Sequence, residues 1–167
     1  EALLARDDEV VVIDDLSTGR VENLAACKES IEIHEARVSD ALDAIDGTFD
    51  EIYHLAAAVG VQLVVDDPIG VIERNVMETA AVLSGAERLG APRLLIASTS
   101  EVYGKSPHLP LREDGDLLLG PTTSSRWSYG CSKAVDEHLA LAWHRSRKLP
   151  VCIARLFNTV GPRQRGR

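Results

Sequence analysis

Tyr129 and Lys133 stand four residues apart in a segment with helical apolar spacing, so they share one helix face. That spacing predicts an ammonium beside a phenol. A free phenol titrates near pH ~10, and a nearby cation favours the phenolate. Tyr129 is therefore a candidate general base for a substrate hydroxyl near neutral pH. Taken alone, the pair is also what an ordinary amphipathic helix with a half-buried tyrosine and a solvated lysine shows. A second cluster adds to it. Thr99, Ser100 and Glu101 follow a predicted strand, at the end where open α/β sheets place ligands. Thr99 and Ser100 offer hydroxyls to a reacting oxygen and to Tyr129. Glu101 offers a carboxylate for a second proton transfer or for orientation. Asp14 ends another predicted strand, where a carboxylate accepts hydrogen bonds from ribose hydroxyls and repels a 2′-phosphate. Read alone, Asp14 is a strand-ending turn residue. Ser17, Thr18 and Gly19 supply a tight turn with hydroxyls and N–H groups beside it, and Arg20 pulls the other way because it can accept a 2′-phosphate. His54 and His108 have no partner visible in the sequence, which favours a structural or an exposed role for each.

These residues need elements to hold them. Short β-branched or apolar runs at Val10–Ile13, Ile31–Ile33, Glu51–Leu55, Arg93–Ala97 and Val151–Leu156 read as strands with polar or small residues at their ends. Helical spacing predicts one helix from Pro68 to about Leu89, with Gly90 as its cap, and a second over 128–147. Alternating strands and helices predict a parallel sheet covered on both faces. The fold class is α/β, a Rossmann-type doubly wound parallel sheet. Residues 105–126, with their Pro, Gly and Ser, read as a long ordered loop, a feature that is uncommon and often functional. Glu1–Arg6 reads as the last turns of a helix. The strand and Gly-rich phosphate loop that open a Rossmann unit are not in the sequence, and Gly161-Pro162-Arg163 leads into no further lobe. The expectation is one partial domain over 1–167, incomplete at both ends, with negligible affinity for a dinucleotide on its own.

The 167 residues suffice for one sizeable core. A net charge of −8 disfavours nucleic acid and anionic membrane as partners. No apolar run approaches the roughly 20 residues of a membrane span, and the start lacks a signal-peptide pattern. Cys27, Cys131 and Cys152 have no metal-like spacing, so no metal is expected. They read as reduced thiols, buried or half-buried, in a cytoplasmic protein.

The motifs together resemble the extended short-chain dehydrogenase/reductases, and among them the NAD-dependent epimerase/dehydratase group acting on nucleotide sugars. The resemblance rests on five stretches in family order: 11–19 (VVIDDLSTG), His54-Leu55-Ala56-Ala57, 98–104 (STSEVYG), Tyr129-Gly130-Cys131-Ser132-Lys133, and 155–163 (RLFNTVGPR). It implies NAD as cofactor. Asp14 would bind the adenosine ribose, with Asp15, Ser17, Thr18, Gly19 and Val38 around the adenosine end. Leu55, Ala56 and Ala57 would line the cofactor's middle, with Thr159 near it and Tyr129 and Lys133 at the nicotinamide ribose. Thr99, Tyr129 and Lys133 would be the catalytic triad, with Ser100 and Glu101 beside them. Thr99 and Asn158 would hold the substrate, a nucleotide sugar and most simply a UDP-sugar.

Thr99-Ser100-Glu101 resembles both UDP-glucuronic acid decarboxylases and GDP-mannose 4,6-dehydratases, and Leu119-Gly120-Pro121 with Arg126-Trp127-Ser128-Tyr129 resembles the bacterial decarboxylases in particular. A 4-epimerase is the alternative, followed by a GDP-mannose-type 4,6-dehydratase. The rival outside enzymes is an inactive NAD-binding sensor. The family often carries an Asp where Arg37 stands, so that adenine contact is not implied. The resemblance also implies a homodimer through the two long helices.

Overall fold

The computed structural model describes residues 1–90 and 93–163. They fall into two compact units, Glu1–Asp46 with the chain's end from Val160, and Gly47–Thr159.

The first unit holds two short strands, β1 (Val11–Ile13) and β2 (Glu32–His34), paired in parallel with Val12 opposite Ile33. A short helix, α1 (Val38–Ala41), follows. Val38, Ala41, Leu42 and Ile45 bury their side chains here. The start of the chain forms a 3-10 turn over Leu4–Arg6, closed by Asp7 at φ 61°, and not the end of an α-helix that its sequence predicts. A stretch too short to complete successive i to i−4 bonds settles into the tighter turn.

The second unit is a three-stranded parallel sheet in the order β3 (Glu51–His54), β4 (Arg93–Thr99), β5 (Val151–Leu156). Parallel neighbours need crossover connections. These are supplied by α2 (Val61–Asp66) and α3 (Pro68–Arg88) between β3 and β4, and by α4 (Ser128–Arg147) between β4 and β5. The two long helices keep their predicted bounds for local reasons. Pro68 sits in the first turn of α3, where its missing N–H costs nothing, and the Asp67 carboxylate accepts from Gly70 N at 2.9 Å. Gly90, at φ 64°, turns the chain away at the other end. Lys148 does the same for α4 in the left-handed region. β4 runs two residues further than its apolar core, because Ser98 and Thr99 pair with Arg155 and Leu156. The parallel sheets with their crossover helices are a Rossmann-like arrangement.

α3 buries Val71, Asn75, Thr79, Val82, Leu83 and Ala86, a stripe at helical spacing. α3 and α4 pack on each other, and α4 also packs on β4. On the outside Ile69, Ile72 and Met77 of α3 and Val135 and Leu141 of α4 stay exposed. Of the cysteines only Cys27 is buried; Cys131 and Cys152 are exposed thiols, which corrects the buried or half-buried reading. Cys131 is exposed on α4 between the buried Gly130 and Ser132. No helix among the described residues is long and apolar enough to cross a membrane.

His54 closes β3 in the core. Its Nε2 lies 3.0 Å from Thr79 Oγ1, so its role here is structural. Burial, aided by the Lys133 charge, lowers its pKa from 6.5 to about 4. In the unfolded chain it takes a proton near pH 6.5, and in the folded protein only near 4. Between those values the unfolded state binds more protons, so stability falls as pH falls. The expected loss reaches about 3 kcal/mol by pH ~4. Urea unfolding of the protein and of His54→Gln at neutral and acid pH checks this. An equal acid sensitivity in both would refute it.

Candidate active site

In the second unit the parallel register brings the C-terminal ends of the strands to one edge. His54 pairs with Ile96, and Thr99 with Leu156. The loops leaving that edge carry Leu55–Ala58, Ser100–Tyr103 and Phe157–Thr159. Thr99 ends β4 in extended conformation and its Oγ1 accepts from Glu101 N at 3.2 Å, starting a 3-10 turn over Ser100–Tyr103. The first turn of α4 lies against that turn. A Cβ on Gly130 would come within 3.1 Å of the Glu101 carbonyl oxygen. The lack of a side chain there sets how closely Tyr129 approaches Thr99 and Glu101.

Tyr129 is half-buried in this setting. Burial pushes its phenol above the usual value, and the Glu101 carboxylate pushes it the same way. The Thr99 hydroxyl acts against both, and Asp136 raises it again. Helical spacing predicts Lys133 as a cation on the face of the phenol, and in the structure that cation is buried and paired within its own helix. Its Nζ donates to Asp136 Oδ2 at 2.7 Å, with side chains 2% and 0% exposed. An ammonium buried so completely requires a counter-ion, and the carboxylate three residues on provides one. The solvated-lysine alternative is overturned by the same observation.

Glu101 is paired as well. Its Oε2 accepts from the Arg126 guanidinium at 3.0 Å, and that guanidinium lies 5.2 Å from the centre of the Trp127 ring. Lys105 lies over the same ring at 5.3 Å. Ser100 is half-buried within the turn. His108 is exposed in the loop that follows. The loop is held partly by Gly104 and Lys105, whose backbone meets Leu118.

Three further groups escape a reading of the sequence. Asn75 Oδ1 accepts from Ala58 N at 2.7 Å, while its Nδ2 donates to Ala58 O at 3.3 Å and to Ser132 Oγ at 3.2 Å. Ser132 Oγ in turn donates to Tyr129 O at 2.9 Å. Asn75 thus ties the loop after β3 to the turn that carries Tyr129. Asp136 is the second group. The third is Glu137, which accepts from Ser98 Oγ and from Arg155. For Asp136 and Glu137 the one sequence signal is polarity on the buried face of α4, at 132, 133, 136 and 137.

Leu55 is 63% exposed beyond β3, with Ala56 exposed and Ala57 half-buried. Asn158 and Thr159 are exposed beyond β5. The first unit carries the remaining predicted residues. Asp14 is exposed at the end of β1, and its Oδ1 accepts from Leu16 N at 2.8 Å. Asp15 Oδ1 accepts from Ser17 N and Oγ at 3.0 and 2.6 Å. Thr18 is exposed. A Cβ on Gly19 would lie 3.4 Å from the Asp14 carboxylate, in van der Waals contact with it. Val38 buries its side chain in the first turn of α1, which leaves its backbone as the part able to meet a ligand. An exposed carboxylate in a fixed turn is chemically suited to accept hydrogen bonds from two ribose hydroxyls, as the adenosine end of NAD would require. Among the described residues there is no group of three or more His, Cys, Asp or Glu that could hold a metal ion.

This fold, with a Thr-Ser-Glu turn and a Tyr-Lys helix at the strand ends, defines a domain of the extended short-chain dehydrogenase/reductase class. The chain belongs to the GDP-mannose 4,6-dehydratase family, whose model matches residues 1–167. It is 39% identical over 163 residues to UDP-glucuronic acid decarboxylase 1 of Arabidopsis thaliana, covering 98% of this chain and 37% of that protein. Two solved structures are similar in fold. A UDP-N-acetylglucosamine 4-epimerase from Methanobrevibacter ruminantium, in complex with UDP-N-acetylmuramic acid, superposes with a TM-score of 0.86 at 31% identity, over 98% of this chain and 51% of its own. A dTDP-glucose 4,6-dehydratase from Streptomyces venezuelae with NAD bound gives 0.85 at 30%, over 98% and 51%. The chain thus spans about half or less of the length of these relatives.

Proposed function

We propose that the full-length protein carrying this chain is an NAD-dependent enzyme that oxidises a nucleotide-linked sugar at C4, with a UDP-linked uronate as substrate and decarboxylation as outcome. The observation that carries the reading is the convergence of Thr99, Glu101 and Tyr129 at the end of β4, with Lys133 one turn beneath. The likeness to a UDP-glucuronic acid decarboxylase supports the substrate class.

NAD, when bound, supplies the hydride acceptor. Asp14 would hold it at the adenosine ribose, and Leu55–Ala57 at its middle. Tyr129 Oη takes the proton of the C4 hydroxyl as hydride leaves C4, and Thr99 Oγ1 holds that same oxygen. The product is a 4-keto sugar. With a carboxylate on C5 it is a β-keto acid, so the bond from C5 to the carboxyl carbon breaks and its electron pair stays on the sugar as an enolate. Carbon dioxide leaves. C5 is then protonated, hydride returns to C4, and Tyr129 gives its proton back to the C4 oxygen. Glu101, held by Arg126, is the carboxylate next to Tyr129 and serves C5 as a proton donor or an orienting charge.

The test is to supply the full-length protein with NAD and UDP-glucuronate. Carbon dioxide and a UDP-pentose are expected. A uronate inverted at C4 would instead make the protein a 4-epimerase, a reading the fold likeness to a 4-epimerase supports. Inversion of UDP-glucose with no uronate turnover would sink the decarboxylase reading.

A further inference from the structure

Lys133 is the largest fully buried side chain among the described residues, and it is buried against a carboxylate of its own helix. Asp136 is itself 0% exposed. One of its oxygens receives the Lys133 ammonium. The other, Oδ1, is buried away from water, and the Thr79 hydroxyl favours the charged form of the carboxylate. Taking a charged carboxylate into the core costs desolvation. An apolar residue at this position alone would leave the buried ammonium unpaired, so the carboxylate's presence here is tied to Lys133.

We propose that Asp136 is the resident counter-ion of Lys133, committing the ammonium to the helix interior and removing its charge from Tyr129 until ligands bind. The inference rests on Tyr129 being the base of the proposed reaction. The surroundings agree. His54 faces the pair from β3 and stays neutral near physiological pH, adding no charge. α3 presents Asn75 and Thr79, both uncharged, with the Thr79 hydroxyl favouring the charged form of Asp136. Glu137, the next residue on α4, is occupied by Arg155. Glu101 is occupied by Arg126 and acts on Tyr129 from the turn after β4. Each of these charges near the phenol is therefore paired, and Asp136 is the one whose partner is the cation proposed for catalysis. Burial, Glu101 and Asp136 raise the phenol, and the Thr99 hydroxyl lowers it.

The experiment follows Tyr129 directly. Phenolate formation is titrated by ultraviolet difference in the full-length protein, with Tyr129→Phe as the blank, and kcat/KM is measured against pH. In Asp136→Asn the ammonium loses its partner and acts on the phenol. The Tyr129 titration and the acid limb of kcat/KM should both move to lower pH by about one unit, so the rate below that limb rises about tenfold. An unmoved or raised titration would overturn the proposal. Because Asp136→Asn leaves a buried unpaired ammonium and can fail to fold, Lys133→Met/Asp136→Leu provides a second reading. That double variant replaces both charges with apolar groups, an exchange buried pairs often tolerate. Its Tyr129 titration should stay within about half a unit of the parent or fall below it. A larger rise would mean that the ammonium acts on the phenol all along, which also overturns the proposal. If the protein turns over no nucleotide sugar, the function reading fails, and the two titrations still decide the role of Asp136.

Discussion

Tyr129→Phe is expected to lower kcat for sugar oxidation by about 10³-fold, equal to about 4 kcal/mol of transition-state stabilisation, while leaving the fold intact. The substitution removes one oxygen. That oxygen belongs to the phenol on which the Thr99 hydroxyl and the Glu101 carboxylate both act. The ring it leaves behind still fills the half-buried space in the first turn of α4, so packing against the Ser100–Tyr103 turn is kept. The hydrogen bonds that fix the backbone here, from Ser132 Oγ to Tyr129 O and from Asn75 to Ser132 Oγ, do not involve the hydroxyl. Circular dichroism and urea unfolding should therefore match the parent. Single-turnover oxidation, read as reduced cofactor, should not. Retention of more than about a tenth of the parent rate would remove Tyr129 from the role of base.

Much of this site is legible in the residue pattern alone. The two long helices follow from apolar spacing, and their ends are fixed by residues with a local reason to be there, Pro68 and Gly90 for α3. Thr99, Glu101 and Tyr129 come together because β4 ends beside the first two and α4 begins beside the third. Strand ends and helix starts are what short-range patterns reveal best. Lys133 marks where the pattern stops. Helical spacing places 129 and 133 on one face, but it places 133 and 136 together equally well. Which partner the ammonium takes depends on how deeply the helix is buried, and no local pattern states that. A lysine held at 1% exposure takes the carboxylate that is buried with it. Asn75 escapes notice for a related reason. Its partners, Ala58 and Ser132, are 17 and 57 residues away in sequence, and an isolated Asn on an apolar stripe gives no hint of either. The sheet shows a third limit. The alternation of strands and helices predicts their number and direction, but not that they pair as two separate sets.

Glu137→Ala is expected to be the most damaging single substitution for stability, at about 3–5 kcal/mol. Glu137 Oε1 accepts from Ser98 Oγ at 2.5 Å and from Arg155 Nε at 3.0 Å, and its Oε2 accepts from Arg155 Nη2 at 2.7 Å. One carboxylate thereby joins α4 to both β4 and β5. The Arg155 guanidinium also lies over the Tyr103 ring at 4.7 Å, which extends the cluster to the turn after β4. Removing the carboxylate leaves the guanidinium, 13% exposed, with no counter-charge and the Ser98 hydroxyl with no acceptor. Breaking one side of a buried pair costs far more than the pair contributes net, because the remaining charge stays out of water. Glu137→Leu/Arg155→Met should for that reason be less destabilising than Glu137→Ala alone. Urea unfolding of the three proteins at neutral pH tests the argument, and a double variant weaker than the single one would refute it. The site should register the same change. Ser98 and Arg155 stand immediately before Thr99 and three residues before Asn158, so loosening Glu137 shifts the hydroxyl that meets Tyr129 and the strand end proposed to hold the substrate. A misplacement of about 1 Å in such a constellation is enough to cost roughly a hundredfold in rate.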